Sequence, residues 1–310
     1  MLERLGLRAV ETAPDTPIAT ESTIVLRLGD IERRFDEFAN TTSSLHVDEA
    51  YVITVTPGTT TPASGVVDVV GQSSAGVFYG VQTLLSLLTA ADKNGRRKLV
   101  AGELADAPRF SYRGLMLDVA RNFIAKNVVL RTIDAMAAYK MNRLHLHLTD
   151  DQGWRFDVPD LPELTLVGAR RGHDDSSTSG NRSMLLPYLG SGPSADDAAK
   201  NGGGGFYSRE EYRDILRHAR RRHVTVIPEV DVPGHSAAAI VSMRARLSFR
   251  GRKRFRLADP NDLLEYYSVN NYKNNVMNLC LTSTLAFVEH VITTLIQLHK
   301  ARVCLHQGRK

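Results

Sequence analysis

Asp150 and Asp151 are adjacent carboxylates released at the end of an alternating run, LHLHLT (144–149), and the only tryptophan, Trp154, follows three residues later. The alternation predicts a strand with Leu144, Leu146 and Leu148 on one face and His145, His147 and Thr149 on the other. Two further runs end in the same way. LMLDVA (115–120) carries Asp118 and leads to Arg121. VTVIPEV (224–230) carries Glu229 and leads to Asp231 and His235. Carboxylates, one arginine and one histidine at neighbouring strand ends suit two chemistries. One is acid–base work on a sugar whose hydroxyls a guanidinium fork can bind. The other is a zinc hydrolase built on the His145-Leu146-His147 pair with Asp150. Each residue also has a plain structural reading. Arg121 suits a surface ion pair, Asp150 and Asp151 a turn, His235 a helix cap, and Trp154 a core plug. His145 and His147 are expected as packed interior residues.

The elements that must position these groups alternate from Tyr112 onward. Strands are predicted at 115–120, 143–149 and 224–230, with a fourth beginning at Val303. Helices are predicted at 127–140, from Ser208, and at 284–299 with Phe287, Val288, Val291, Ile292, Leu295 and Leu298 available for burial. Ser208 and Glu211 form the S-x-x-E pattern of a capping box ahead of the stripe Tyr212, Ile215, Leu216 and Ala219. Long loops follow the second and third strands. Repeated β/α units with chemistry at the strand carboxyl ends predict a (β/α)8 barrel, with an open sheet as the alternative. A closed barrel takes ~250 residues, so the stretch 109–310 is expected to hold only its first three to four units. Residues 1–108 read as a separate small α+β domain, with strands at 23–28, 50–55 and 66–71 and a helix at 75–90. Asp106-Ala107-Pro108 reads as the linker.

Bulk properties narrow the classes. The 310 residues are 43% hydrophobic and 24% charged, which is ordinary for globular domains, and the formal charge is +5. No apolar run reaches membrane-spanning length, and the charged N-terminal stretch has no export-signal core. Basic clusters at Arg217–His223 and Arg244–Arg256 read as a helix end and a surface loop. They lack the aromatic interleaving of a nucleic-acid surface. Cys280 and Cys304 have no metal-ligand spacing and read as buried small hydrophobes.

LMLDVARN (115–122), HLHLTDDQGW (145–154) and IPEVDVPGH (227–235) resemble glycoside hydrolase family 20, the β-N-acetylhexosaminidases. LLPYLGSGP (185–193) and LADPNDLLEYYSVNNYKNNVMNLCL (257–281) are similar to its chitobiase branch. SAGVFYGVQTL (74–84) is similar to the helix of the small domain that precedes the family's barrel. The resemblance implies substrate-assisted, retaining hydrolysis of a terminal N-acetylhexosamine, from chitin oligomers or glycoconjugates, without a cofactor or metal. It implies that Arg121 grips sugar hydroxyls, and that Asp150 and His235 form a relay tuning the catalytic acid. Asp118, Asp151, Trp154, Glu229 and Asp231 are expected to line the substrate site. It also implies a secreted, periplasmic or lysosomal setting. In the family the acid Glu and its neighbouring Asp stand in a His-x-Gly-Gly-Asp-Glu block. Here His306-Gln307-Gly308 is followed by Arg309-Lys310. The expectation is therefore a truncated chain, inactive alone, with a non-catalytic sugar-binding product as the alternative.

Overall fold

The computed structural model describes residues 23–31, 46–58, 65–88, 98–172, 188–192, 203–250, 253–261, 265–269 and 271–300, with Phe35, Lys93 and Leu185. The chain forms two compact units, Met1–Ser111 and Tyr112–Lys310.

In the first unit, β1 (Thr23–Leu28), β2 (Tyr51–Pro57), β3 (Gly65–Gly71) and β4 (Gly102–Asp106) form one sheet in the order β1-β3-β2-β4. β1 runs parallel to β3, and β2 runs antiparallel to both β3 and β4. Helix α1 (Ser74–Leu87) starts at Ser73, whose hydroxyl accepts the backbone N–H groups of Ala75 and Gly76. It covers Tyr51, Ile53, Val67 and Val69 with Tyr79 and Leu84. Gly76 permits the close approach, since a Cβ there would lie 2.2 Å from the Ala50 carbonyl oxygen. The segment that reads as a linker in the sequence begins inside β4, where Asp106 accepts a hydrogen bond from the Tyr51 hydroxyl.

The second unit is built on three parallel strands, β5 (Gly114–Asp118), β6 (Arg143–His147) and β9 (Thr225–Glu229), in the order β5-β6-β9. A short hairpin, β7 (Thr149–Asp150) with β8 (Gly153–Trp154), follows β6. The helices are α2 (Lys126–Ala138), α3 (Glu163–Leu166), α4 (Arg209–Arg220), α5 (Ala237–Arg250) and α6 (Thr282–Lys300). Leu144, Leu146, Leu148 and Val226 are buried with α2, α4 and α6 in one continuous core. The opposite face carries the registered row Met116, His145 and Ile227, which is partly open to solvent. The α/β class with an N-terminal α+β unit is as the sequence predicts. The described β/α repeats are those of an incomplete barrel.

Helix α4 has the predicted capping box, with both reciprocal bonds between Ser208 and Glu211, and buries Tyr212, Ile215, Leu216 and Ala219. Three expectations are corrected. Helix α5 occupies a stretch that reads as loop in the sequence, because its start, AAAIVSM, has small apolar residues and no clear stripe. Arg246, taken for part of a solvated basic loop, is buried on α5 with its Nη1 2.7 Å from Glu163 Oε2. Cys280 is exposed rather than buried. On α6, Phe287, Val291, Leu295 and Leu298 are buried as expected, whereas Ile292 faces outward. The strand expected from Val303, together with Cys304 and the His306–Lys310 stretch, lies outside the described residues.

Candidate active site

The register sets the site. Asp118, His147 and Glu229 are paired across β5, β6 and β9, so three ionisable side chains leave the sheet in one row at its carboxyl edge. Just past β5 the chain turns back on Asp118, whose Oδ1 accepts the backbone N–H groups of Ala120 and Arg121 at 3.0 Å each. The turn carries the Arg121 side chain back over the row. Its Nη1 donates to Asp118 Oδ2 at 2.6 Å, and its Nη2 lies 2.7 Å from Asp150 Oδ2. The guanidinium is about a third exposed, while the Asp150 carboxylate is fully buried.

Asp150 is the hub. Its Oδ2 also meets His147 Nε2 at 3.0 Å, and its Oδ1 accepts the Asp151 N–H at 2.6 Å. His235 Nδ1 stands 3.3 Å from Asp150 Oδ1 and 3.3 Å from Asp151 Oδ2. His235 lies in the loop after β9, with its backbone in the left-handed region at φ 48°. That conformation is uncommon outside glycine. In the same loop the Asp231 N–H donates to Thr149 Oγ1.

The electrostatics follow from these contacts. Burial works to raise the Asp118 carboxyl, but the side-chain and backbone bonds of Arg121 outweigh it and hold it below the usual range. Burial likewise acts against a charged His147, yet its bonds to Asp150 and Glu229 prevail and raise it to about 9. Glu229 is held low despite burial, since its Oε2 faces His147 Nδ1 at 2.8 Å and His145 Nε2 at 2.6 Å. Asp231 is raised by burial and by the neighbouring acids Asp150 and Glu229.

Asp118, Arg121, Asp150, Glu229, Asp231 and His235 thus gather at one edge of one sheet. Two expected site residues are committed to the fold, although Asp151 Oδ2 also lies 3.3 Å from His235 Nδ1. Trp154 is 1% exposed, stacks on Phe156 at 5.1 Å and donates its indole N–H to the Phe156 carbonyl. It is the core plug, because β8 turns it inward. Asp151 is fully buried, with Oδ1 accepting the Ala237 N–H at 3.0 Å and Oδ2 accepting Asn275 Nδ2 at 2.8 Å. It anchors the start of α5 rather than facing a ligand. His147 is buried as expected, whereas His145 is about a third exposed, and both lie close to Glu229. Two groups of donor atoms, those of His147, Asp150 and Asp231 and those of Asp150, Asp151 and His235, lie close enough for a cation. Arg121 already supplies positive charge there, with its Nη2 2.7 Å from Asp150 Oδ2.

Sequence reasoning missed Arg155. Its guanidinium is wholly buried and donates to the carbonyls of Ala120, Gln152, Ala169, Gly203 and Gly205. It thereby ties the residue before Arg121 to the loop after Asp151. The signal available was Gly203 and Gly205, which supply carbonyls to a large buried side chain.

Residues 110–309 match the family described as "Glycosyl hydrolase family 20, catalytic domain", and residues 2–107 match "Glycosyl hydrolase family 20, domain 2". A "Beta-hexosaminidase" of Vibrio vulnificus is 44% identical over 239 residues, covering 75% of this chain and 27% of the relative. The "N,N'-diacetylchitobiase" of Vibrio harveyi is 46% identical over 234 residues, covering 73% of this chain and 25% of the relative. The crystal structure of the exo β-N-acetylglucosaminidase of Vibrio harveyi in complex with N-acetylglucosamine is 29% identical with a TM-score of 0.69. That match covers 91% of this chain and 42% of that one. The chain therefore spans about a quarter of the length of these two relatives.

Proposed function

Since this chain belongs to glycosyl hydrolase family 20, we propose that its second unit supplies the sugar-gripping and acid-tuning part of a chitobiase-like β-N-acetylhexosaminidase site. The observation that supports this most is the pairing at Asp150. One oxygen is held by the partly exposed Arg121 fork and the other lies beside His235. In this reading Arg121 donates to adjacent hydroxyls of a terminal N-acetylhexosamine, with Asp118 and Asp150 holding the fork flat. The 2-acetamido oxygen of the sugar attacks the anomeric carbon, and the leaving oxygen takes a proton from a glutamic acid. Asp150 and His235 orient that acid and bias when it gives up its proton. Asp231, a half-buried acid beside His235, borders the same pocket. Export from the cytoplasm, as for the family, belongs to the same proposal.

The experiment follows the Arg121 guanidinium by NMR in the 310-residue protein while N-acetylglucosamine is added. The expected result is a saturating shift in the millimolar range, corresponding to only about 4 kcal/mol of binding. Arg121→Lys should lose the binding as measured by calorimetry, because an ammonium cannot reproduce the fork. An Arg121 signal unmoved by the sugar overturns this assignment.

A further inference from the structure

His147 cannot touch a sugar, being 3% exposed, yet it stands at the centre of the charged row. From Asp118 the contacts run through Arg121, Asp150 and His147 to Glu229 and His145, crossing all three strands. We propose that His147 is a positioning residue of this site: an imidazolium clamped between Asp150 and Glu229 that fixes the Asp150 carboxylate, and through it the Arg121 fork, before any ligand binds. The proposal rests on the reading of Arg121 as the sugar grip, while the clamp itself is a property of the unliganded chain.

The geometry carries it in three steps. Asp150 Oδ2 has two partners, Arg121 Nη2 at 2.7 Å and His147 Nε2 at 3.0 Å, so the carboxylate plane is set by both together. On its other side His147 Nδ1 lies 2.8 Å from Glu229 Oε2, an ion-pair contact without hydrogen-bond alignment. Arg121 Nη1 comes within 3.5 Å of His147 Nε2, so the guanidinium, the imidazole and the Asp150 carboxylate meet at one point. The groups facing His147 account for its proton. Asp118 and Arg121 come from the end of β5, Asp150 comes from β7 just after β6, and Glu229 and Asp231 come from the end of β9. His145 shares the Glu229 oxygen, and His235 lies beyond Asp150. Four carboxylates outnumber the cations, which favours a retained proton, and His147 is raised to about 9. On deprotonation one ring nitrogen would present a lone pair to a carboxylate oxygen. One side of the clamp would then open, and Arg121 would keep only its bonds to Asp118 and a loosened Asp150.

The test is an NMR titration of the full 310-residue protein with labelled histidine and arginine, reading His147 ring nitrogens and the order of the Arg121 guanidinium. In the wild type, Arg121 should stay ordered through the neutral range and lose order in step with His147, near pH 9. Glu229→Gln should move both midpoints down together, toward the ordinary histidine value of 6.5. His147→Gln should abolish the step and leave Arg121 poorly ordered at every pH, with Trp154 emission confirming that the unit is folded. If the glutamine variant does not fold, the Glu229→Gln comparison decides alone, because Glu229 is partly exposed. Arg121 order that ignores the titration of His147 in the wild type and in Glu229→Gln overturns the proposal. A coupled titration with no response to N-acetylglucosamine supports the clamp and removes only the sugar assignment.

Discussion

At Asp151 both carboxylate oxygens are committed before any ligand arrives, one to the Ala237 N–H and one to Asn275. A buried acid with two such partners is a structural anchor. Asp151→Ala should therefore destabilise the second unit by ~1–3 kcal/mol for each buried donor left unpaired. Urea unfolding measures this, and the response of Arg121 to sugar should remain. Trp154 makes the complementary case. As the only tryptophan, packed against Phe156 and Phe287, it should emit as a buried indole and not change when N-acetylglucosamine is added. A sugar-dependent quench would instead put the ring in the pocket. The two residues show where sequence reading stops. Alternation and strand ends sufficed to place Asp118, Arg121, Asp150 and Glu229 at one edge. They do not say which way a residue in a short hairpin turns, and that direction separates Asp150 from Asp151 and sends Trp154 into the core. His147 is buried as the alternation predicts, and shows a related limit. The period of two gave its face, but its role depends on registration with Asp118 and Glu229, which no local pattern records.

Among the elements, legibility tracked the strength of local signals. The capping box of α4 and its apolar stripe are complete in sequence and present in the structure. Ser208→Ala should accordingly cost ~0.5–2 kcal/mol in unfolding free energy. Helix α5 gave no such signal. It is specified by packing: Gly168 lies so close to it that an added Cβ would sit 2.7 Å from Ser242 Oγ. Its charged residues mislead as well, because Arg246 turns inward to meet the buried Glu163 of α3. Replacing Arg246 by methionine removes a charged partner of that carboxylate, and breaking a buried ion pair costs ~3–5 kcal/mol. The double variant with Glu163→Gln should recover much of the loss. If the single variant unfolds no earlier than wild type, the pair contributes nothing and α5 is held by its apolar contacts alone.

For the second unit as a whole, the charged row implies a bounded pH range of stability. Asp118 and Glu229 are held below their ordinary values, so their contribution is present above the unfolded carboxylate range and lost as pH falls through their lowered folded values. His147 acts with the opposite sign. Its folded value of about 9 lies above the ordinary 6.5, so its contribution is full below 6.5 and is lost as pH rises to about 9. Trp154 belongs to this unit, so its emission reports the unfolding of the region that carries the row. Urea midpoints followed by that emission should form a plateau on the acid side of neutrality and decline progressively between about 6.5 and 9. Asp231 and Asp151 have raised values and oppose the acid limb, so acid destabilisation should be shallow and the alkaline decline the clearer of the two. His147→Gln should lower the plateau and flatten the alkaline limb together, because the variant has no proton there to lose. An alkaline decline of unchanged slope in His147→Gln would assign that limb to another group.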